Sequence, residues 1–272
     1  MTSGIFRPPP SADGSLLAET LRGSSPTVFR GLAAEWPAVE RWTFPYIGSL
    51  APDLPVRLVV GNRESDPTRF TRSTLGSYAE LLAGDEPGQE PVYLKEFDLL
   101  KEFPQLRDDL RNGELFPRGS ITSCTTWIGP ARARTGLHCD LLDNLAVVIA
   151  GRKRFWLAGP EAVARAGKTS AKYDAWARLS SVGAEELAAD HPDAGDFYVV
   201  DLEPGDVLYV PARWWHEVVN LTSSVLLSGF FGPKTRVLSQ WLAVQGREGL
   251  HRTGLLGRGN CTCHPGRATA NA

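Results

Sequence analysis

Hydrophobic spacing divides the chain near residue 121. Upstream, Leu16, Leu17 and Leu21 predict a short helix over 15–22, and Leu75, Tyr78, Leu81 and Leu82 another over 74–83. Short strands are predicted at 26–30, 56–60 and 91–94, and Trp36 and Trp42 read as core aromatics. Downstream, apolar runs bounded by Gly and Pro predict strands at 121–129, 145–150, 153–157, 197–202, 206–210 and 225–231. With no regular alternation of strands and helices, the pattern argues for a sandwich or barrel rather than a parallel sheet. The predicted fold class is therefore mainly β, with a barrel core over 121–232 and flanking N-terminal and C-terminal helices. A long insertion, 158–196, carries helical stretches at 161–166 and 184–189, and a loop of that length suits a lid or substrate-contacting element. A last helix, 235–248, shows Val237, Leu238, Trp241, Leu242 and Gln245 as a stripe that either caps the barrel or forms a homodimer contact.

The remaining segments set the domain picture. Residues 1–15, with three consecutive prolines, read as a flexible leader, 16–256 as a single domain, and the Gly/Arg/Thr/Ala-rich 257–272 as a disordered tail. Cys261-Thr-Cys263-His264 in that tail is a weak soft-metal motif that would need help from another chain. Four cysteines do not make a secreted disulfide framework, which suggests a reducing cytoplasmic location. No signal peptide is read, and no run reaches the ~18 apolar residues of a membrane span. A net charge of -2 leaves no electrostatic footprint for nucleic acid.

Candidate chemistry centres on His138-Cys139-Asp140 and on Trp214-Trp215-His216. Two imidazoles and one carboxylate match the facial triad that leaves positions open on a non-haem Fe(II). On an extended backbone, residues i and i+2 share a face, so His138 and Asp140 can meet one metal while Cys139 points away. The run Glu203 to Pro211 reads as a turn and buried strand that delivers His216 just beyond its end. Alternation after Gly151 places Lys153, Phe155 and Leu157 on one face. If that face is interior, Lys153 needs an anionic partner; otherwise it snorkels at the strand mouth. Thr135 and Tyr93 are candidate hydroxyl donors, and Asn144 reads as a plausible turn residue.

Three segments together carry a resemblance: Leu137-His-Cys-Asp140, Asn144 to Arg154, and Pro204 to His216. They resemble the JmjC hydroxylases, and are more narrowly similar to the small cupin-like branch that includes an asparaginyl hydroxylase and a tRNA wybutosine hydroxylase. Val28 to Pro37 and Leu179 to Val182 extend the likeness over about 25–232. The resemblance implies a double-stranded β-helix, Fe(II) held by His138, Asp140 and His216, and 2-oxoglutarate as co-substrate. It further implies Lys153 paired with the distal carboxylate, Thr135 and Tyr93 bonded to that end, Asn144 beside it, and O2 in the open site. Where that asparaginyl hydroxylase has an Asn on the final strand, this chain has Gly229, so the pocket is expected to be finished differently or by water.

Three functions compete at this point. The first is hydroxylation of a side chain in a peptide or protein. The second is oxygenation of a small molecule or modified tRNA base, against which the near-neutral charge argues. The third is non-catalytic metal binding in a cupin-like scaffold, which would not need an interior lysine.

Overall fold

The computed structural model describes residues 5–84, 90–111, 115–116 and 120–265, the side chains of 121 and 122 apart. Two antiparallel sheets face one another, as expected for a mainly β jelly roll of cupin type. In the larger sheet the order is β1 (Thr27–Phe29), β11 (Val207–Val210), β7 (Asp143–Ala150), β13 (Ser224–Phe231), β5 (Ile121–Gly129), β4 (Val92–Phe97), β2 (Pro55–Val60) and β3 (Arg69–Thr74). The smaller runs β10 (Phe197–Leu202), β8 (Lys153–Ala158), β12 (Trp215–Asn220), β6 (Arg134–Asp140) and β9 (Ala177–Leu179).

Strand β7 explains why the region reads as continuously apolar. Its Leu145, Val147 and Ile149 pack outward with the N-terminal helices, while Ala146 and Val148 pack inward between the sheets. A strand covered on both faces needs no polar alternation. The inward cluster, with Phe155, Leu157, Leu208, Val210 and Leu226, fills one part of the interior. Each fully buried side chain of this kind contributes about 1.5–3 kcal/mol. Leu137, Cys139, Trp156 and Trp215 point the other way, onto the insertion's helices Ala162–Arg165 and Ala184–Asp190.

Several expectations need adjustment. His216 does not lie just past the end of β11; after a turn at 211–214 it sits inside β12, a separate strand. Arg134–Asp140 forms β6, a strand that the apolar runs do not mark. Asp143 is buried and accepts from the Ala212 N–H at 2.8 Å and from Arg236 at 3.1 Å. The leader is pinned at Arg7 and Ser11, which bridge to Tyr198 and Val28, and Phe6 stacks edge-on against Phe197; residues 1–4 lie outside the described residues. The tail is packed through 265, with Cys261 buried and bridged to Tyr173, so its small residues serve close approach rather than disorder; 266–272 lie outside the described residues. The final helix runs Lys234–Arg252. Among the described residues no helix is long and apolar enough to cross a membrane.

Candidate metal and co-substrate site

Strand parity assembles the site. His138 and Asp140 project inward from β6, and His216 stands opposite His138 across the β6–β12 ladder. Their rings lie 4.2 Å apart between centroids. His138 Nδ1 bonds the Gly136 carbonyl at 2.8 Å and His216 Nδ1 bonds the Trp214 carbonyl at 3.2 Å. Donation to a carbonyl places the proton on Nδ1, so each Nε2 lone pair faces Asp140, at 3.9 Å from Oδ1 and 3.5 Å from Oδ2. All three donor atoms fall within 4.8 Å of one another. Burial pushes His216 down to about 4; burial and then His216 push His138 down. Both imidazoles are thus neutral, the form a metal requires. Burial also raises Asp140 to about 6, which a bound cation would reverse.

Thr135 is three residues from His138, so regular alternation would put it on the opposite face. A bulge removes the conflict. Between His216 and Val218 on β12 the partner register on β6 moves from His138 to Thr135, three residues against two. Thr135 and His138 therefore both line one cavity of about 860 Å³, together with Tyr93, Asp140, Asn144 and His216.

Lys153 is not at the strand mouth. It is wholly buried behind that lining, donating to Tyr93 Oη at 3.0 Å and Asn220 Oδ1 at 2.5 Å. Among the described residues no carboxylate lies at ion-pair distance from it. Burial first, and the Lys95 charge second, lower Lys153 to about 7. Lys95, by contrast, has its own acid: Glu64 accepts from it at 2.8 and 3.0 Å. A hydrogen bond with Thr135 pulls the Tyr93 phenol down, against a larger upward push from burial.

The Gly229 expectation is overturned by parity. On β13 it is Leu226, Ser228 and Phe230 that line the cavity, whereas a Cβ on Gly229 would strike the Phe116 ring at 2.2 Å on the outer face. Ser228 is the residue that sequence reading missed. It accepts a long 3.5 Å bond from Asn144 Nδ2, while Asn144 Oδ1 and the Thr125 hydroxyl, both buried, have no partner. Which face of β13 looks inward is set by its pairing with β5 and β7. Glu64 was missed as well: it accepts from the Gly136 N–H at 3.2 Å, one residue pair from His138. Its position on a loop after β2 gives no sequence signal. Trp214 and Trp215 are buried packing residues whose indoles donate to the Ser24 and Pro160 carbonyls.

The family model of the cupin-like domain matches residues 14–236. The chain belongs to this cupin-like JmjC family. Its members are oxygenases of the Fe(II)/2-oxoglutarate type, and the His138/Asp140/His216 group fits such a metal. The chain is 26% identical over 254 residues to tRNA wybutosine-synthesizing protein 5 of Gallus gallus, covering 82% of this chain and 76% of that one. It is 28% identical over 228 residues to Lysine-specific demethylase JMJ30 of Arabidopsis thaliana (80% and 52%). It is 29% identical over 224 residues to the HSPB1-associated protein 1 homolog of Danio rerio (71% and 48%). The chain thus spans about half the length of the latter two relatives.

Proposed function

We propose that this member of the family is an Fe(II)- and 2-oxoglutarate-dependent hydroxylase acting on an amino-acid side chain of a peptide or protein. The observation that carries the reading is Lys153, a buried ammonium with neutral partners only, behind a triad of metal-binding donors. A non-catalytic metal binder has no use for that cation, which costs stability until an anion arrives.

His138, Asp140 and His216 would hold the iron. Lys153, Tyr93 and Thr135 would take the distal carboxylate of 2-oxoglutarate, and the unpartnered Asn144 and Thr125 oxygens accept further polar contacts beside it. Iron bound there, with 2-oxoglutarate and O2, supplies oxidative decarboxylation coupled to insertion of one oxygen into a C–H bond. Trp127, Phe155 and Leu226 form apolar walls that keep bulk water from that end. Trp176 of the insertion and Val237, Leu238 and Trp241 of the last helix also line the cavity, apolar surface suited to a side chain and its flanking backbone.

The test is incubation with Fe(II), 2-oxoglutarate and candidate peptides. Succinate should appear with a gain of one oxygen atom on a single residue, and His138→Ala should abolish both. Iron-loaded protein that neither binds 2-oxoglutarate nor makes succinate would overturn the reading. A modified tRNA base is the second reading, favoured by the name of the Gallus gallus relative. It requires RNA binding that weakens steeply with salt.

A further inference from the structure

Outside the barrel, a second group of donors converges at the end of the last helix. His251 Nε2, Cys261 Sγ, Cys263 Sγ and His264 Nδ1 all lie within 4.8 Å of one another. We propose that these four side chains form a structural zinc site that fastens 257–264 to the helix Lys234–Arg252 and to the rim of the substrate cavity.

The distances favour a metal over a knot of hydrogen bonds. His251 Nε2 is 3.3 Å from His264 Nδ1, and the nitrogen–sulfur separations are 3.2 Å (Cys263 to each imidazole) and 3.4 Å (Cys261 to His264). A tetrahedron with Zn–N of ~2.05 Å and Zn–S of ~2.3 Å has edges of about 3.4 Å between nitrogens and about 3.6 Å between nitrogen and sulfur. His251 Nδ1 bonds the Leu256 carbonyl at 2.7 Å, which puts the proton there and leaves the Nε2 lone pair aimed at the cluster. Two thiols and a second imidazole nitrogen surround that lone pair, and both cysteines are free of disulfides. Two thiolates and two neutral imidazoles make a charge of -2, which a single Zn²⁺ neutralises. Four protein donors close the coordination shell, as structural zinc requires.

The surroundings show what the clip would hold. Tyr173 of the insertion stacks on His251 with centroids 4.3 Å apart, and its backbone pairs with Asn260 and Thr262. Thr68 donates to the Cys261 carbonyl at 2.7 Å. Gly257 adopts φ +60°, and a Cβ there would meet the Tyr173 Cβ at 2.3 Å, so the chain can close over Tyr173 only with glycine. Thr262 and Cys263 themselves reach the cavity lining.

Metal analysis of the full chain, prepared under reducing conditions with zinc supplied, tests this independently of turnover. In His138→Ala, where the barrel triad is broken, about one Zn²⁺ per chain should remain, and the wild type should hold that ion besides whatever metal fills the triad. Cys263→Ala, at an exposed position, should cut zinc affinity by ~10-fold or more. Reconstitution with Co²⁺ should give thiolate-to-cobalt charge-transfer absorption that Cys263→Ala and Cys261→Ser each diminish by about half. Where Cys261→Ser does not fold, the wild-type cobalt spectrum and chelator-induced trypsin cleavage at Arg252 or Arg258 carry the test. The proposal is overturned if zinc is absent with the thiols free, if intact mass shows a Cys261–Cys263 disulfide, or if zinc content is unchanged in Cys263→Ala.

Discussion

The His138/Asp140/His216 cluster and the His251/Cys261/Cys263/His264 cluster differ in donors, scaffold and completeness. The first takes three nitrogen and oxygen donors from two paired strands, and one side of it faces a cavity of about 860 Å³. The second takes four nitrogen and sulfur donors from a helix end and the loop after it. Strands in a ladder hold side chains at fixed spacing, so an incomplete coordination sphere keeps its geometry while exchanging ligands. A loop has no such support and gains order only if the metal saturates it. Three donors on a rigid frame suit chemistry; four on a pliable one suit fastening.

Breaking each cluster separately sharpens that contrast. The largest effect is expected from His138→Ala or Asp140→Ala, which should lower iron affinity by more than ~100-fold, the upper range for losing merely an outer partner of a ligand. The zinc of the second cluster, about one per chain, should remain, as metal analysis of the same sample will show. Next comes Lys153→Ala, expected to raise the KM for 2-oxoglutarate by ~10- to 100-fold, the value of a charge-assisted hydrogen bond, with iron content unchanged. Cys263→Ala should do the opposite, leaving iron content and the 2-oxoglutarate KM alone while lowering Tm by roughly 5–10 °C for a loss of 2–3 kcal/mol.

A subtler effect concerns pH. Lys153 has a folded pKa of about 7 against an ordinary 10.5, so between those values the unfolded chain holds a proton that the folded chain releases. Stability of the ligand-free protein should therefore rise as pH rises from about 7 toward 10.5, and Lys153→Met should flatten that slope in denaturant titrations. The anionic co-substrate prefers charged Lys153, so its affinity should fall as pH climbs through about 7. Smallest of all, Ser228→Ala should change the 2-oxoglutarate KM by ~5-fold or less, a single neutral hydrogen bond.

Sequence pattern reached much of this. Period-two alternation placed Lys153 inside, and the i, i+2 rule joined His138 to Asp140, because both depend on nothing beyond one regular strand. It failed where strands depart from regularity or where partners come from elsewhere. The β6–β12 bulge and the inward turn of Ser228 follow from pairing register, which a single strand does not encode. Likewise the tail reads as disordered from its glycines and small residues, although those glycines are what let it close over Tyr173. His251, thirteen residues before His264, reads as an ordinary helix residue until the helix length and the returning loop are known.

The bulge beside Gly136 also bears on how this site can change. Because one surplus residue lets Thr135 and His138 look inward together, ironing out the bulge at constant length would turn the hydroxyl to the outer layer, whereas deleting one position between them would leave both inward on a regular strand. Pairing register, rather than chain length, would therefore decide all or nothing whether that hydroxyl reaches the cavity, whereas point substitutions on the same stretch would only tune it.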